Sequence, residues 1–139
     1  MQILKTYARL FVTALDTALP VYERLVGRPA DLRFPFADAE LAAVGDLLLI
    51  AGPPAAVDAY RTTVGPLVVD DLGAAAAFVA EVGGAVTGGP FESASGRFLY
   101  ARHPDGAEIE YVEWSPDIRS AVLDRDGRTR TVDSRGPLS

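Results

Sequence analysis

The hydrophobic pattern changes period twice along the chain, each time in the same order. In YARLFV, Leu10 and Val12 alternate with Tyr7, Arg9 and Phe11, which is the two-residue period of a strand. Leu19, Tyr22, Leu25 and Val26 then fall at helical spacing. Thr17 suits the N-cap of that helix, Pro20 its first turn and Gly27 its C-terminal cap, because each fits the backbone demanded there. The second half repeats the order. TVGPLVVDDLGAAAAFVAEVGG predicts a strand at about residues 64–70, an Asp70/Asp71 cap and an alanine-rich helix ending at Gly83-Gly84. Leu10 and Val12 match Leu67 and Val69, Leu15 matches Leu72, and Ala18 matches Ala75, all at an offset of 57. A repeat of this kind constrains the fold more than any single motif.

Three short strand-like runs follow each helix: ADLRFPF, AELAAVG and DLLLIAG, then GAVTGGPFES, GRFLYAR and AEIEYVEW. Each half therefore reads β-α-β-β-β, and the fold class is α+β. The expected architecture is a curved, mostly antiparallel sheet around a cleft, with the helices on its outer face. The modules span about residues 3–52 and 62–114 of a single domain, 1–114. The proline-rich stretch AGPPAAVDAYRT forms the seam between them. Residues 115–139 read as a C-terminal extension, in which AVL and RTRTV pair as a hairpin about a turn at Asp124 to Gly127.

Alternation also assigns faces. In the last run, Glu108, Glu110 and Val112 share one face, and Ile109, Tyr111 and Glu113 the other. Helix-covered faces must be apolar, so Leu99 and Ala101 belong under a helix, while Phe98, Tyr100 and Arg102 face the concavity. DLLLI is apolar on both faces, and its Leu47 and Leu49 are assigned to the concave side. With Tyr7, Arg9, Phe11 and Val64, these residues describe an aromatic cleft with few polar groups, the usual make-up of a small-molecule site. Phe34, Phe36 and Phe91 are expected from neighbouring strands, with Trp114 closing one end. Glu108 and Glu113 read as solvated surface, and His103 as the brace of the His-Pro-Asp-Gly turn.

Composition narrows the partners. The 139-residue chain has 49% hydrophobic and 23% charged residues, no cysteine and a net charge of −6. One lysine in an acidic body is poor equipment for a phosphate backbone, so nucleic acid is not an expected partner. Without cysteine there is no disulfide, thiolate metal site or cysteine nucleophile. No apolar run approaches the roughly 20 residues that span a bilayer, and Lys5 and Arg9 interrupt the apolar N-terminus. The expected location is cytoplasmic, away from membranes.

Two β-α-β-β-β modules in this order resemble the vicinal oxygen chelate superfamily of glyoxalases, bleomycin- and fosfomycin-resistance proteins and extradiol dioxygenases. The local resemblance lies in ALDTALPVYERLVG, DDLGAAAAFVAEVGG and HPDGAEIEYVEW, within a match over about residues 3–114. It implies four metal-ligand positions, here Tyr7, Leu49, Val64 and Glu110. Leu49 and Val64 carry no donor atom, so neither a metal nor another cofactor is expected.

The resulting expectation is a metal-independent protein of the bleomycin-resistance type that sequesters an aromatic or planar small molecule. Its ligand-binding residues would be Tyr7, Arg9, Phe11, Leu49, Val64, Phe98, Tyr100, Arg102 and Glu110, none of them catalytic, with Arg9 paired to Glu110. The alternative is an enzyme of the same fold acting on a small organic substrate, metal-independent or with a non-standard metal site. A homodimer is expected from the apolar strands DLLLIAG and RFLYAR and from the family's habit of pairing modules.

Overall fold

The computed structural model describes residues 1–126. Its first half comprises β1 (Ile3–Thr6), β2 (Ala8–Val12), α1 (Leu15–Val26), β3 (Leu32–Phe36), β4 (Ala39–Val44) and β5 (Leu47–Ala51). A short helix α2 (Pro54–Val57) and a 3-10 turn (Asp58–Tyr60) join it to β6 (Val64–Val69), α3 (Leu72–Glu81), β7 (Ala85–Ser93), β8 (Gly96–Arg102), β9 (Glu108–Trp114) and α4 (Pro116–Asp126).

The strands form two curved mixed sheets, in the orders β2-β5-β4-β3 and β1-β6-β9-β8-β7. β2 lies parallel to β5 and β6 parallel to β9, and the other neighbours are antiparallel. The first strand is broken at Tyr7, so that β1 crosses to the second module's sheet while β2 stays in its own. That exchange ties the two halves together.

Three layers of core follow from the faces. α1 packs on the outside of one sheet through Leu15 and Leu19, against Leu49, Ala42 and Val44. α3 packs on the other through Leu72, Ala75 and Val79, against Leu99 and Tyr111. The matched pair Leu15 and Leu72 are each 2% exposed, so the offset of 57 seen in the sequence is a repeat of packing. Between the sheets lies the third core, with Tyr7, Leu48, Ile50, Phe98 and Trp114. The apolar strands that suggest a homodimer are thus covered by the chain itself, and these faces give no argument for a second copy.

The start of α3 and the end of α1 follow their residues. Asp71 Oδ1 accepts the Ala74 N–H at 3.0 Å, and Gly27 takes the left-handed conformation at φ +90° with its N–H on the Glu23 carbonyl. α1 begins earlier than its sequence suggests, at Leu15 with Ala14 and not Thr17 as its N-cap, so Pro20 lies inside the helix rather than in its first turn. The buried stripe is Leu15, Leu19, Tyr22 and Val26, and Leu25 turns outward, 71% exposed. Burying Leu15 as well as Leu19 requires the extra turn, at the expense of one hydrogen bond lost to Pro20.

The seam between the modules carries a core residue, Val57, which is 3% exposed. One further expectation is corrected, the terminal hairpin. The segment AVL is helical, and Val122 and Leu123 of α4 are buried in the core between the sheets; RTRTV lies outside the described residues. No helix among the described residues is long and apolar enough to cross a membrane.

Candidate active site

Strand register decides which side chains face the space between the sheets, a cavity of about 80 Å3. Leu10 of β2 pairs with Leu49 of β5, and Leu67 of β6 with Tyr111 of β9. All four pack on the helix sides. Their neighbours therefore point inward: Arg9 and Leu48 from the first module, Pro66 and Glu110 from the second. Gly65 makes that approach possible. At φ +113°, a Cβ on it would meet the Glu110 carbonyl oxygen at 3.0 Å.

Most of the wall is apolar. Phe36, Phe98 and Tyr100 meet edge to face, with ring centroids 5.4 and 5.8 Å apart. Tyr60 stacks on Tyr100 at 6.4 Å and 28° and meets Phe36 edge-on at 6.2 Å. Trp114 against Tyr7 forms the floor at the other end.

The polar end is Arg9 with Glu110. Arg9 Nη2 donates to Glu110 Oε1 in an ion pair, and the two side chains are 7% and 16% exposed. Nη1 of Arg9 donates to the main-chain carbonyls of Tyr60 at 3.0 Å and Thr63 at 2.7 Å. The buried Nε of Arg9 has no hydrogen-bond partner among the described residues. Burial pushes the Glu110 carboxyl above its ordinary range, against the pull of Arg9 through charge and hydrogen bond. Burial first, then the charge of Glu110 and Tyr60, raises the Tyr100 phenol so far that it stays a neutral hydroxyl. The site thus holds a carboxyl of raised basicity, a fixed guanidinium and a neutral phenol in apolar surroundings.

Five of the nine residues singled out from the sequence line this cavity: Tyr7, Arg9, Phe98, Tyr100 and Glu110. Four do not. Leu49 lies under α1, fully buried among Leu15, Leu19 and Ala42. DLLLI is apolar on both faces, so alternation could not choose between them, and a slip of one residue exchanges the faces. Val64 is 53% exposed at the start of β6, before the irregularity that sets the register at Pro66. Phe11 sits beneath the Arg61 guanidinium, 4.5 Å from its ring centre. Arg102 is exposed at the rim, 3.9 Å from Glu108. Of the unforeseen wall residues, Pro66 was legible from the repeat, since it is Arg9 displaced by 57, and Leu48 was not, because its strand is apolar on both faces. Tyr60, in the inter-module seam, gave no periodic signal.

The remaining acids have structural partners. Glu113 Oε1 accepts the Leu72 N–H at 2.8 Å, anchoring the start of α3, so it is more than solvated surface. Glu108 bonds Thr87 Oγ1 at the rim. His103 Nε2 lies 2.7 Å from the Tyr111 hydroxyl, and the His103 main chain closes the turn with Ala107 and Gly106.

No protein-family model and no curated protein matches the chain. Among solved structures, an uncharacterised protein of Methanosarcina mazei is 41% identical, with a TM-score of 0.78 over 83% of this chain and 95% of that one. The chain belongs to that protein's family. Methylmalonyl-CoA epimerases are also similar. The Mycobacterium tuberculosis enzyme has a TM-score of 0.62 at 20% identity over 85% of this chain and 93% of that one. A variant of the Streptomyces coelicolor enzyme in complex with 2-nitronate-propionyl-CoA has 0.61 at 17% over 83% and 97%. Both belong to the vicinal oxygen chelate superfamily. The fold is the vicinal oxygen chelate fold.

The metal of that fold is not matched by the residues here. The strand positions that face one another across the cavity hold Arg9, Leu48, Pro66 and Glu110. One carboxylate is the whole donor set, and a guanidinium, which stays charged and cannot ligate, already occupies it. Tyr7, Tyr60, Tyr100 and Ser95 add only neutral hydroxyls to the lining. Divalent cations bound by this fold would need three or four converging donors.

Proposed function

We propose that this protein is a metal-independent enzyme of the vicinal oxygen chelate fold, and that it moves a proton on a small carbonyl compound held in the cavity. One observation carries the reading: the Glu110 carboxyl is buried in an apolar cavity with its basicity raised, beside an Arg9 Nε–H that has no acceptor among the described residues. A carboxylate with a raised pKa is a better base near neutrality. A carbonyl oxygen seated on Arg9 or on the neutral Tyr100 hydroxyl would be stabilised as the adjacent carbon loses its proton to Glu110. The balance is simple: the C–H bond breaks, its proton passes to the Glu110 oxygen, and the electron pair becomes an enolate held by those donors. Return of a proton from Glu110 to the same face restores the substrate with its α-hydrogen exchanged, and delivery of a proton from water to the opposite face completes an epimerisation. The similarity to epimerases, which share the fold, is in keeping with this chemistry.

The second reading is sequestration without chemistry, in the manner of bleomycin-resistance proteins, of an aromatic or planar ligand. The Arg9 ion pair favours it, because a guanidinium on the carboxylate opposes its basicity. Proton NMR in D2O separates the two. A panel of 2-substituted thioesters, ketones and keto acids is incubated with the wild type and with Glu110→Gln. Wash-out of an α-proton signal by the wild type but not by the variant is the expected result. Binding with no exchange across the panel would replace the enzyme reading with sequestration.

A further inference from the structure

Tyr60 is a wall of the cavity that belongs to neither sheet. It stands at the end of the 3-10 turn in the inter-module linker, and its ring packs on Phe36 and Tyr100, one from each sheet. It therefore spans the gap between an aromatic edge of each sheet. The strand-borne walls are locked by ladder hydrogen bonds, and moving any of them breaks a sheet. The linker is held differently. Two of its carbonyls, those of Tyr60 and Thr63, accept from the single Arg9 guanidinium, and Val57 anchors its short helix in the core.

The space that Tyr60 leaves is small. A dry apolar cavity that takes a benzene ring measures about 150 Å3, and this one about 80 Å3. A phenol ring removed from its edge would roughly make up the difference.

We infer that Tyr60 is the specificity-determining residue of this site, limiting the group that reaches Glu110 to a compact carbonyl head and excluding an aromatic ring. This rests on the reading of the cavity as the ligand site. It narrows the ligand class to small acyl, keto or amide groups whose oxygen accepts from Arg9 or Tyr100. It also assigns the aromatic wall to shaping the cavity, not to stacking on a planar ligand. Packed interiors tolerate added bulk poorly, so a ring would have to displace Tyr60 and the linker with it.

The test uses two neutral amides that differ only in bulk, acetamide and benzamide, titrated into the full chain and followed by 1H–15N chemical shifts of β8 and β9. In the wild type, acetamide should shift cavity amides and benzamide should bind at least about tenfold more weakly, the scale on which pockets discriminate by size. Tyr60→Ala should reverse that order, and Tyr60→Leu, which keeps an apolar plug, serves if the alanine variant fails to fold and should weaken the preference. Equal binding of both amides to the wild type, an unchanged ratio in the variants, or no binding of either amide to any of these proteins would overturn the inference. Selective acetamide binding without α-proton exchange in the D2O panel would leave Tyr60's role standing and remove only the enzyme reading.

Discussion

Arg9 and Glu110, separated by 101 positions in the chain, meet in an ion pair on the wall of the cavity. Each comes from an inward-facing position of a different sheet, on β2 and β9. The pair therefore forms only when both modules have folded and closed on each other. Whether it serves stability or function can be decided, because the two roles give opposite signs in one measurement.

Burial holds the folded-state pKa of Glu110 above its ordinary value of 4.5. The folded protein thus binds that proton more tightly than the unfolded chain. The associated stability is fully present below pH 4.5 and is lost as pH rises through the raised value. Glu110→Gln is neutral throughout, so urea unfolding should show the wild type losing ground to the variant as pH rises. Near neutrality the variant should be at least as stable as the wild type, and inactive. A pair kept for stability predicts instead a loss of about 3–5 kcal/mol in the variant, from a stranded buried guanidinium. That outcome would remove Glu110 from proton transfer.

Arg9→Met should behave differently. Arg9 Nη1 serves the Tyr60 and Thr63 carbonyls, and methionine serves neither. Glu110 can answer the loss of its partner by taking a proton, so the cost falls on the two linker carbonyls. The expected cost is about 2–4 kcal/mol, from hydrogen bonds to a charged donor. Amide hydrogen exchange should rise in residues 52–63 and stay unchanged in the paired strands β8 and β9. Acceleration spread evenly over the chain would mean that Arg9 does not hold the linker.

The legible part of this fold is the part that repeats. Leu15 and Leu72, or Leu10 and Leu67, sit under helices because a half-buried sheet enforces alternation, and that alternation is written in the residues. It places Phe98, Tyr100 and Glu110 on the correct face. It misplaces Leu49, because a strand apolar on both faces carries no information about which face is inside. The true orientation of Leu49 is still encoded at long range, through β5 pairing with β2 as β9 pairs with β6. Tyr60 lies beyond either device. It reaches the site through hydrogen bonds from Arg9 to its own main chain, and main-chain acceptors leave no trace in a sequence.

α4 reads as an extension in the sequence, and its packing says otherwise. Val122 and Leu123 are 0% and 2% exposed, in the core between the sheets. Leu123→Ala should cost about 2–5 kcal/mol, the range for a buried leucine. Leu25→Ala, on the outer face of α1, should stay within about 0.5 kcal/mol. Calorimetry of the two variants side by side checks this. Equal, small effects would detach α4 from the folded unit.

The last expectation concerns metal. In this fold the inward positions of the paired strands carry Arg9, Leu48, Pro66 and Glu110. A divalent cation bound there would have to displace Arg9 from Glu110 and then find its remaining donors among apolar side chains and neutral hydroxyls. Displacement alone would leave a buried guanidinium beside the ion, and like charges in an apolar cavity repel strongly. Exhaustive dialysis against EDTA should therefore leave the melting temperature unchanged. Added Zn2+, Co2+, Ni2+ or Mn2+ should give no rise in stability, and the paramagnetic Co2+ and Mn2+ should not broaden the Glu110 and Tyr100 amides. Arg9→Ser opens the space and removes the competing charge, and is the variant in which weak Co2+ broadening at Glu110 should first be seen. Broadening of those amides by Co2+ in the wild type, abolished by Glu110→Gln, would restore a metal to the site and overturn the donor-set argument.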